Sequence, residues 1–346
     1  MRQNPGVSTQ NSIENSILAS SLVSSPPSNP RQILTVEALS QLNQRSNLKG
    51  FLQLAGHIIL LLISGSIWVV WATDFIAPYL GETRETILPP VSAWLALPAI
   101  VIYGFGLAAM FATLHECSHR TAFADNRWND GVAWFAGLLS FYNSTFYRRY
   151  HKWHHRYTQL PGQDPELSDP KPTHWQAYFW ELSGLPWWMG KLRGHGQVAL
   201  GLVQEYPFLP ETAYKEVILS TRLQLFVYTL AIVLSLFMGH PEAILIYWIL
   251  PLAVGQPILR FILLAEHTNC SNDDNPLTNT RTTLTLAPLR FLMWNMPFHT
   301  EHHLYPSIPF HALPQAHLRL RPYLSHLVSG YVTVHQHIVA PWRKAP

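Results

Sequence analysis

Residues 91–119 read VSAWLALPAIVIYGFGLAAMFATLHECSH, an apolar run that ends in two histidines. Val91 to Leu114 carries no charge. At about 1.5 Å per helical residue it can cross a hydrocarbon core of about 30 Å. His115 and His119 follow at once, four residues apart and therefore on one helical face. The first expectation is a membrane-crossing helix that delivers two imidazoles to one lipid surface.

Outward from this stretch, the same apolar pattern recurs three times. Leu54 to Ala72 precedes it, and Leu223 to Met238 and Ala243 to Leu264 follow it, the last two joined by Gly239-His240-Pro241-Glu242. The link Thr73 to Pro90 holds Pro78, Pro89, Pro90 and one basic residue, Arg84. Two hairpins make four spans, so both termini and the long middle region share one side. That middle region carries Arg120, Arg127, Arg148, Arg149, Lys152 and Arg156, which by the positive-inside rule places it in the cytoplasm. The apolar but interrupted stretches Gly131–Tyr147, Gly184–Val203 and Leu284–Phe298 read as helices lying at the interface. The expected fold is an all-α integral membrane protein, with four transmembrane helices, interfacial helices and a cytoplasmic cap.

Composition agrees. Hydrophobic residues make up 48% and charged residues 12%, about half the charged share of a soluble protein. Thirteen tryptophans and fourteen tyrosines suit two lipid–water interfaces. A net charge of +3, with no dense Lys/Arg run, argues against nucleic acid as a partner. Cys117 and Cys270 form no CxxC pair and read as reduced thiols. Residues 1–45 are polar, without the apolar core of a signal peptide, and read as a disordered arm whose Ser content also fits a targeting role. The membrane domain is expected over residues 46–320, with a tail at 321–346.

The chain has 18 histidines, nearly as many as its 23 lysines and arginines. Eight fall in three clusters: His115-Glu116-Cys117-Ser118-His119, His151-Lys152-Trp153-His154-His155 and His299-Thr300-Glu301-His302-His303. In the latter two, the first histidine has partners at i+3 and i+4, so three rings can converge. A ninth, His267, follows the fourth span directly, at the same depth as His115; isolated histidines are usually structural, but its neighbourhood favours a ligand. His57, His174, His195, His240, His311, His317, His326, His335 and His337 lack cluster spacing and receive no metal role.

Imidazole suits iron, zinc, copper and nickel. One metal takes four to six ligands, so eight or nine imidazoles imply two metals close together. A redox-active pair such as iron can react with O₂, whereas zinc has no redox chemistry. His115 to His119 also spells H-E-x-x-H, the zinc-protease signature with Glu116 as general base, but that reading leaves two clusters unexplained. Glu116, Glu301 and, less so, Glu266 stand beside histidines and are candidates to orient a ligand ring. Asn295 is a candidate to orient a ligand or hold a metal-bound water. Asp130, Asp164 and Glu166 fit helix caps or ion pairs with Arg148, Arg149 or Arg156 equally well.

The three clusters resemble the histidine boxes of the membrane fatty acid desaturase superfamily. The likeness extends to His154-His155-Arg156-Tyr157-Thr158 with Asp164-Pro165-Glu166, to Asn295-Met296-Pro297-Phe298-His299, to His303-Leu304-Tyr305-Pro306, and from Pro309 to His317. It runs from the first span to about His317. The resemblance implies that His115, His119, His151, His154, His155, His267, His299, His302 and His303 hold two iron ions. It also implies an O₂-dependent attack on an unactivated C–H bond. The outcome is a double bond in a long acyl chain, of a fatty acid or acyl lipid. The alternatives within the same chemistry are a hydroxylase and a carotenoid ketolase or hydroxylase. No haem module, cysteine set for an iron–sulfur cluster or G-x-G-x-x-G is present, so an external donor such as ferredoxin or a cytochrome is expected.

Overall fold

Apolar runs of this length fold as helices because lipid offers backbone amides no partner outside their own segment. The computed structural model describes residues 29–76, 79 and 92–343. Four of its helices are long and apolar enough to cross a membrane: Asn47–Ile76, Ala93–Ser118, Glu211–Phe237 and Leu245–His267. They cover the four expected segments to within two residues and continue past each at the end nearer the histidines, where helical hydrogen bonding outlasts the apolar run. Most of the link between the first two spans, with Arg84, lies outside the described residues.

In chain order the helices are α1 (Val36–Leu42), α2 (Asn47–Ile76), α3 (Ala93–Ser118), α4 (Asn126–Ser140), α5 (Ser144–Tyr157), α6 (Trp175–Leu182), α7 (Leu185–Ala199), α8 (Glu211–Phe237), α9 (Leu250–His267), α10 (Pro276–Asn279), α11 (Ala287–Leu292), α12 (His299–Leu304), α13 (Leu313–Leu320) and α14 (Tyr331–Val339). A π-helical turn, Leu245–Ile249, opens the fourth span ahead of α9. Two three-residue strands, β1 (Thr282–Leu284) and β2 (Leu327–Ser329), pair in parallel with Thr282 opposite Leu327.

α3 is the central span, packed against α2, α4 and α9. Its crossing with α9 is backbone on backbone. A Cβ added at Gly104 would lie 2.1 Å from the Pro251 carbonyl oxygen, and one added at Gly255 would lie 2.0 Å from that of Gly104. Small residues permit this approach, which spans use in place of a hydrophobic drive. The π turn is held by side-chain donors: Trp68 Nε1 donates to the Ile246 carbonyl (3.0 Å) and the Tyr103 hydroxyl to that of Tyr247 (3.1 Å).

The expected arm and tail need correction. From Asn29 onward the arm is folded, with α1 capped by the Thr35 hydroxyl, which accepts from the Ala38 amide at 3.2 Å. Leu34 and Leu42 are buried in a cluster with Phe298, Leu304, Ile308 and Leu313. The few apolar residues of a polar segment suffice because they find a preformed apolar surface. In the tail, β2 pairs with β1, and Tyr331, Val334 and Ile338 bury one face of α14 in the main core. Among the described residues, folded contacts thus continue on both sides of residues 46–320.

Candidate metal centre

Three elements carry the boxes to one place. α3 carries His115 in its last turn, and His119 caps its C-terminus. α5 starts at an N-cap, Asn143, whose side-chain oxygen accepts from the Phe146 amide (3.0 Å), and carries His151, His154 and His155. α12 is a short helix buried along its whole length, with His299, His302 and His303. His267 closes α9. Because α3 and α9 cross tightly and both end here, their histidines come to one end of the bundle.

Nitrogens of His115, His119, His151, His155 and His302 all lie within 4.8 Å of one another, and so do those of His154, His267 and His303. His299 joins the second set: its Nε2 is 3.1 Å from the Nε2 atoms of both His267 and His303. In the first set, His155 Nε2 is 3.0 Å from His151 Nε2 and 3.1 Å from His302 Nε2. The two sets adjoin, with the His155 and His303 rings stacked at 4.1 Å. All nine predicted histidines are thus brought together. Among the described residues, none of the other histidines enters either set.

Hydrogen bonds at the far side of the rings decide where the protons sit. His267 Nδ1 donates to the Asn279 carbonyl (3.0 Å), and His154 Nδ1 to Asp164 (2.9 and 3.1 Å). The Thr158 hydroxyl donates to the His154 carbonyl (2.7 Å), so it accepts from His303 Nδ1 (3.2 Å). In a neutral ring the other nitrogen then carries a lone pair. Burial, and then Arg148 and His154, push His119 down to about 3. Burial, reinforced by neighbouring imidazoles, also holds His151, His155, His299, His302 and His303 well below the usual histidine range. At His154 burial opposes the charge, but Glu166 and Asp164 outweigh it and the pKa rises.

Unprotonated Nε2 atoms of His267 and His303 therefore both face His299 Nε2. One ring nitrogen has a single lone pair or a single proton and cannot satisfy two partners. A cation shared among them can. Buried Nε2 atoms of His115 and His119 likewise have no protein partner. An all-imidazole donor set of this kind fits a transition metal and not magnesium or calcium.

The acidic candidates divide differently from the sequence expectation. Glu116 Oε1 accepts from the Thr121 hydroxyl (2.6 Å) and the Phe310 amide (3.0 Å), so it orients no ligand and is tied up away from a protease base's role. Glu301 accepts from Thr282 (2.5 Å) and pairs with His317, outside the nine. Asn295 donates to the Phe310 carbonyl (3.1 Å) and shapes backbone instead. Glu266, the weakest candidate of the three acids, has an oxygen 3.4 Å from His299 Nε2. Asp164 both caps a turn, accepting from the Glu166 amide (3.0 Å), and holds His154. Asp130 pairs with Arg120 (2.9 Å) and Arg148 (2.5 Å), and Glu216 with Arg149 (2.5 Å); Arg127, Lys152 and Arg156 stay exposed. Both cysteines are free thiols.

A cavity of about 780 Å³ opens onto His115, His151, His154 and His299, and its walls include Phe111, Tyr147, Leu263, Leu264 and Met296. Four of the clustered histidines thus border a space lined by apolar and charged side chains alike.

Comparison with known proteins agrees with this architecture. Residues 92–335, from α3 into α14, match the family model described as fatty acid desaturase. The chain is 27% identical over 266 residues to the sphingolipid delta(4)-desaturase of Bos taurus, 72% of each chain being covered. It is 25% identical over 245 residues to the sphingolipid delta(4)-desaturase/C4-monooxygenase of Mus musculus, covering 68% of each. Over 110 residues it is 31% identical to an sn-1 oleoyl-lipid 12-desaturase of Picosynechococcus, covering 30% of this chain and 32% of that one. A matching family model over most of the chain, four membrane-length helices and a converged histidine cluster lead to one conclusion: this chain is a membrane oxidoreductase that belongs to the fatty acid desaturase family.

Proposed function

We propose that this protein is an O₂-dependent desaturase that introduces a double bond into a long acyl chain of a fatty acid or membrane lipid. The observation that carries the reading is the convergence of nine imidazoles in two adjoining sets, six of them held unprotonated by burial. His115, His119, His151, His155 and His302 would hold one iron ion, and His154, His267, His299 and His303 the other. When bound, iron supplies the one-electron redox chemistry that O₂ activation needs and that no side chain here has. Asp164, Thr158 and the Asn279 carbonyl hold the protons of three rings on the far side, keeping their Nε2 lone pairs inward. The cavity would take the acyl chain, exclude water and lay one C–H bond against the histidines.

Electrons come from a separate donor protein, such as a ferredoxin or a cytochrome. Exposed Arg127, Lys152 and Arg156 support docking on the cytoplasmic side, where the positive-inside rule also puts both termini.

Metal analysis of the purified chain should find about two irons per chain, the number that nine imidazole donors fill. His302→Ala should abolish new double bonds, detected by mass spectrometry of lipids from an expressing host. Loss of the first-set iron with unchanged product would overturn the proposal. A hydroxylated lipid as main product would favour the second reading, supported by a relative whose name includes a monooxygenase activity.

A further inference from the structure

Beyond the histidines, the same cavity is lined by three cations, Lys171, Lys191 and Arg260, of which Lys191 and Arg260 stand beside one another. Arg260 lies within the fourth span, seven residues before His267 on α9, roughly 10 Å along the helix axis. Lys191 reaches in from α7. Charged residues inside spans are costly and commonly mark a substrate or ion pathway. No carboxylate among the described residues forms an ion pair with Lys191 or Arg260, although Asp164, Glu166, Asp169, Glu181, Glu205 and Glu266 line the same cavity.

Tyr142 ties the two together. Its hydroxyl oxygen accepts from Trp187 Nε1 (2.8 Å) and from an Arg260 guanidinium nitrogen (3.1 Å). Its own hydrogen is donated to none of the described residues. Lys191 Nζ stands 3.7 Å from the centre of the Tyr142 ring. Arg260 Nε is buried without a partner. The remaining capacity of the trio is therefore all donor: a phenol hydrogen, an ammonium and a guanidinium fork. Burial, and then the neighbouring Arg260, push Lys191 down to about 7.

The geometry points to a binding subsite, formed by Tyr142, Lys191 and Arg260, for the oxyanion of the lipid substrate, a carboxylate or a phosphate. It rests on the desaturase reading only in taking the anion to be one end of the acyl substrate. Guanidinium forks match carboxylate and phosphate oxygens in a plane. With the anion held here, the chain runs along Leu263 and Leu264 toward His154 and His299, so the subsite sets which bond meets the histidines.

Equilibrium binding to the full chain in neutral detergent tests this, with palmitate, dioleoyl phosphatidate and methyl palmitate as probes. Palmitate or phosphatidate should bind about tenfold more tightly than the neutral ester, the scale of one charge-assisted hydrogen bond. Preference for palmitate identifies a carboxylate, and preference for phosphatidate a phosphate. Arg260→Gln should remove the preference while methyl palmitate binds as before, and Arg260→Lys should retain part of it. Should Arg260→Gln fail to fold, Lys191→Gln, outside the spans, decides on the same criterion. Equal binding of acid and ester by the unaltered chain, or an undiminished preference in both Gln variants, overturns the subsite. Iron is measured on the same samples. A chain without iron that still prefers the acid overturns the metal reading alone, and an iron-loaded chain without the preference overturns the subsite alone.

Discussion

Asp164 accepts from His154 Nδ1, from the Gln159 amide at 2.7 Å and from the Glu166 amide at 3.0 Å, and so ties a ring of the cluster to the backbone that follows its helix. Asp164→Asn keeps the size but loses the charge that favours the His154 tautomer. Iron affinity or turnover should fall about 10- to 100-fold, the usual cost of such a partner, read by metal analysis after dialysis against a chelator. An unchanged iron content would refute the orienting role. The histidines also set a pH dependence. In the metal-free fold His119 sits at about 3, against an ordinary value of 6.5, and five other box rings outside the spans are lowered too. Below about pH 6.5 the unfolded chain takes up protons that the folded one refuses, so stability present above that pH is lost as pH falls. Each fully buried ring costs about 1.4 kcal/mol per pH unit in this window. Tm of metal-free protein should therefore drop from about pH 7 to about pH 5. Iron-loaded protein should resist the first part of that fall; a flat Tm in both would contradict neutral buried rings.

At the level of elements, the α3–α9 crossing places His115 and His267 at one end of the bundle. Gly255→Ala would put a methyl 2.0 Å from the Gly104 carbonyl oxygen, and rigid backbone cannot swing aside. The spans must separate, at about 1–3 kcal/mol or more. Tm in detergent should fall and iron content with it, because His267 moves relative to α3. A variant with normal Tm and iron would show that the crossing does not position the centre. The π turn at the head of the same span differs in kind. Trp68 and Tyr103 donate to its carbonyls, so neighbouring helices satisfy what the altered hydrogen-bond pattern releases.

For the whole molecule, both hairpins must open on the same side if the boxes are to meet. Exposed Lys152 belongs to the histidine-bearing side, and exposed Met238 to the far end of the α8 hairpin. With Cys270→Ser as background, Lys152→Cys in sealed right-side-out cells should resist a membrane-impermeant maleimide until the cells are opened. Met238→Cys should react at once. The reverse pattern would invert the cytoplasmic assignment without disturbing the metal centre.

Spans and boxes were legible because both are local. An uncharged run such as Val91–Leu114 states its own length, and i, i+3, i+4 spacing states its own face. Eight of the clustered histidines are therefore evident from their spacing, and His267 only from its place directly after the fourth span. Glu116 and Glu301, though adjacent to clustered histidines in sequence, turn to Thr121 and Phe310 and to Thr282 and His317. Asp164, ten residues from His154, folds back onto it. Leu34 and Tyr331 are buried only because distant segments present them with a surface. The likeness of one box to another rests on periodicity along the chain, which any sequence displays. Which acid reaches which ring, and which cation is left without a partner, depends on contacts between residues far apart in the chain, and these exist only once the helices have packed.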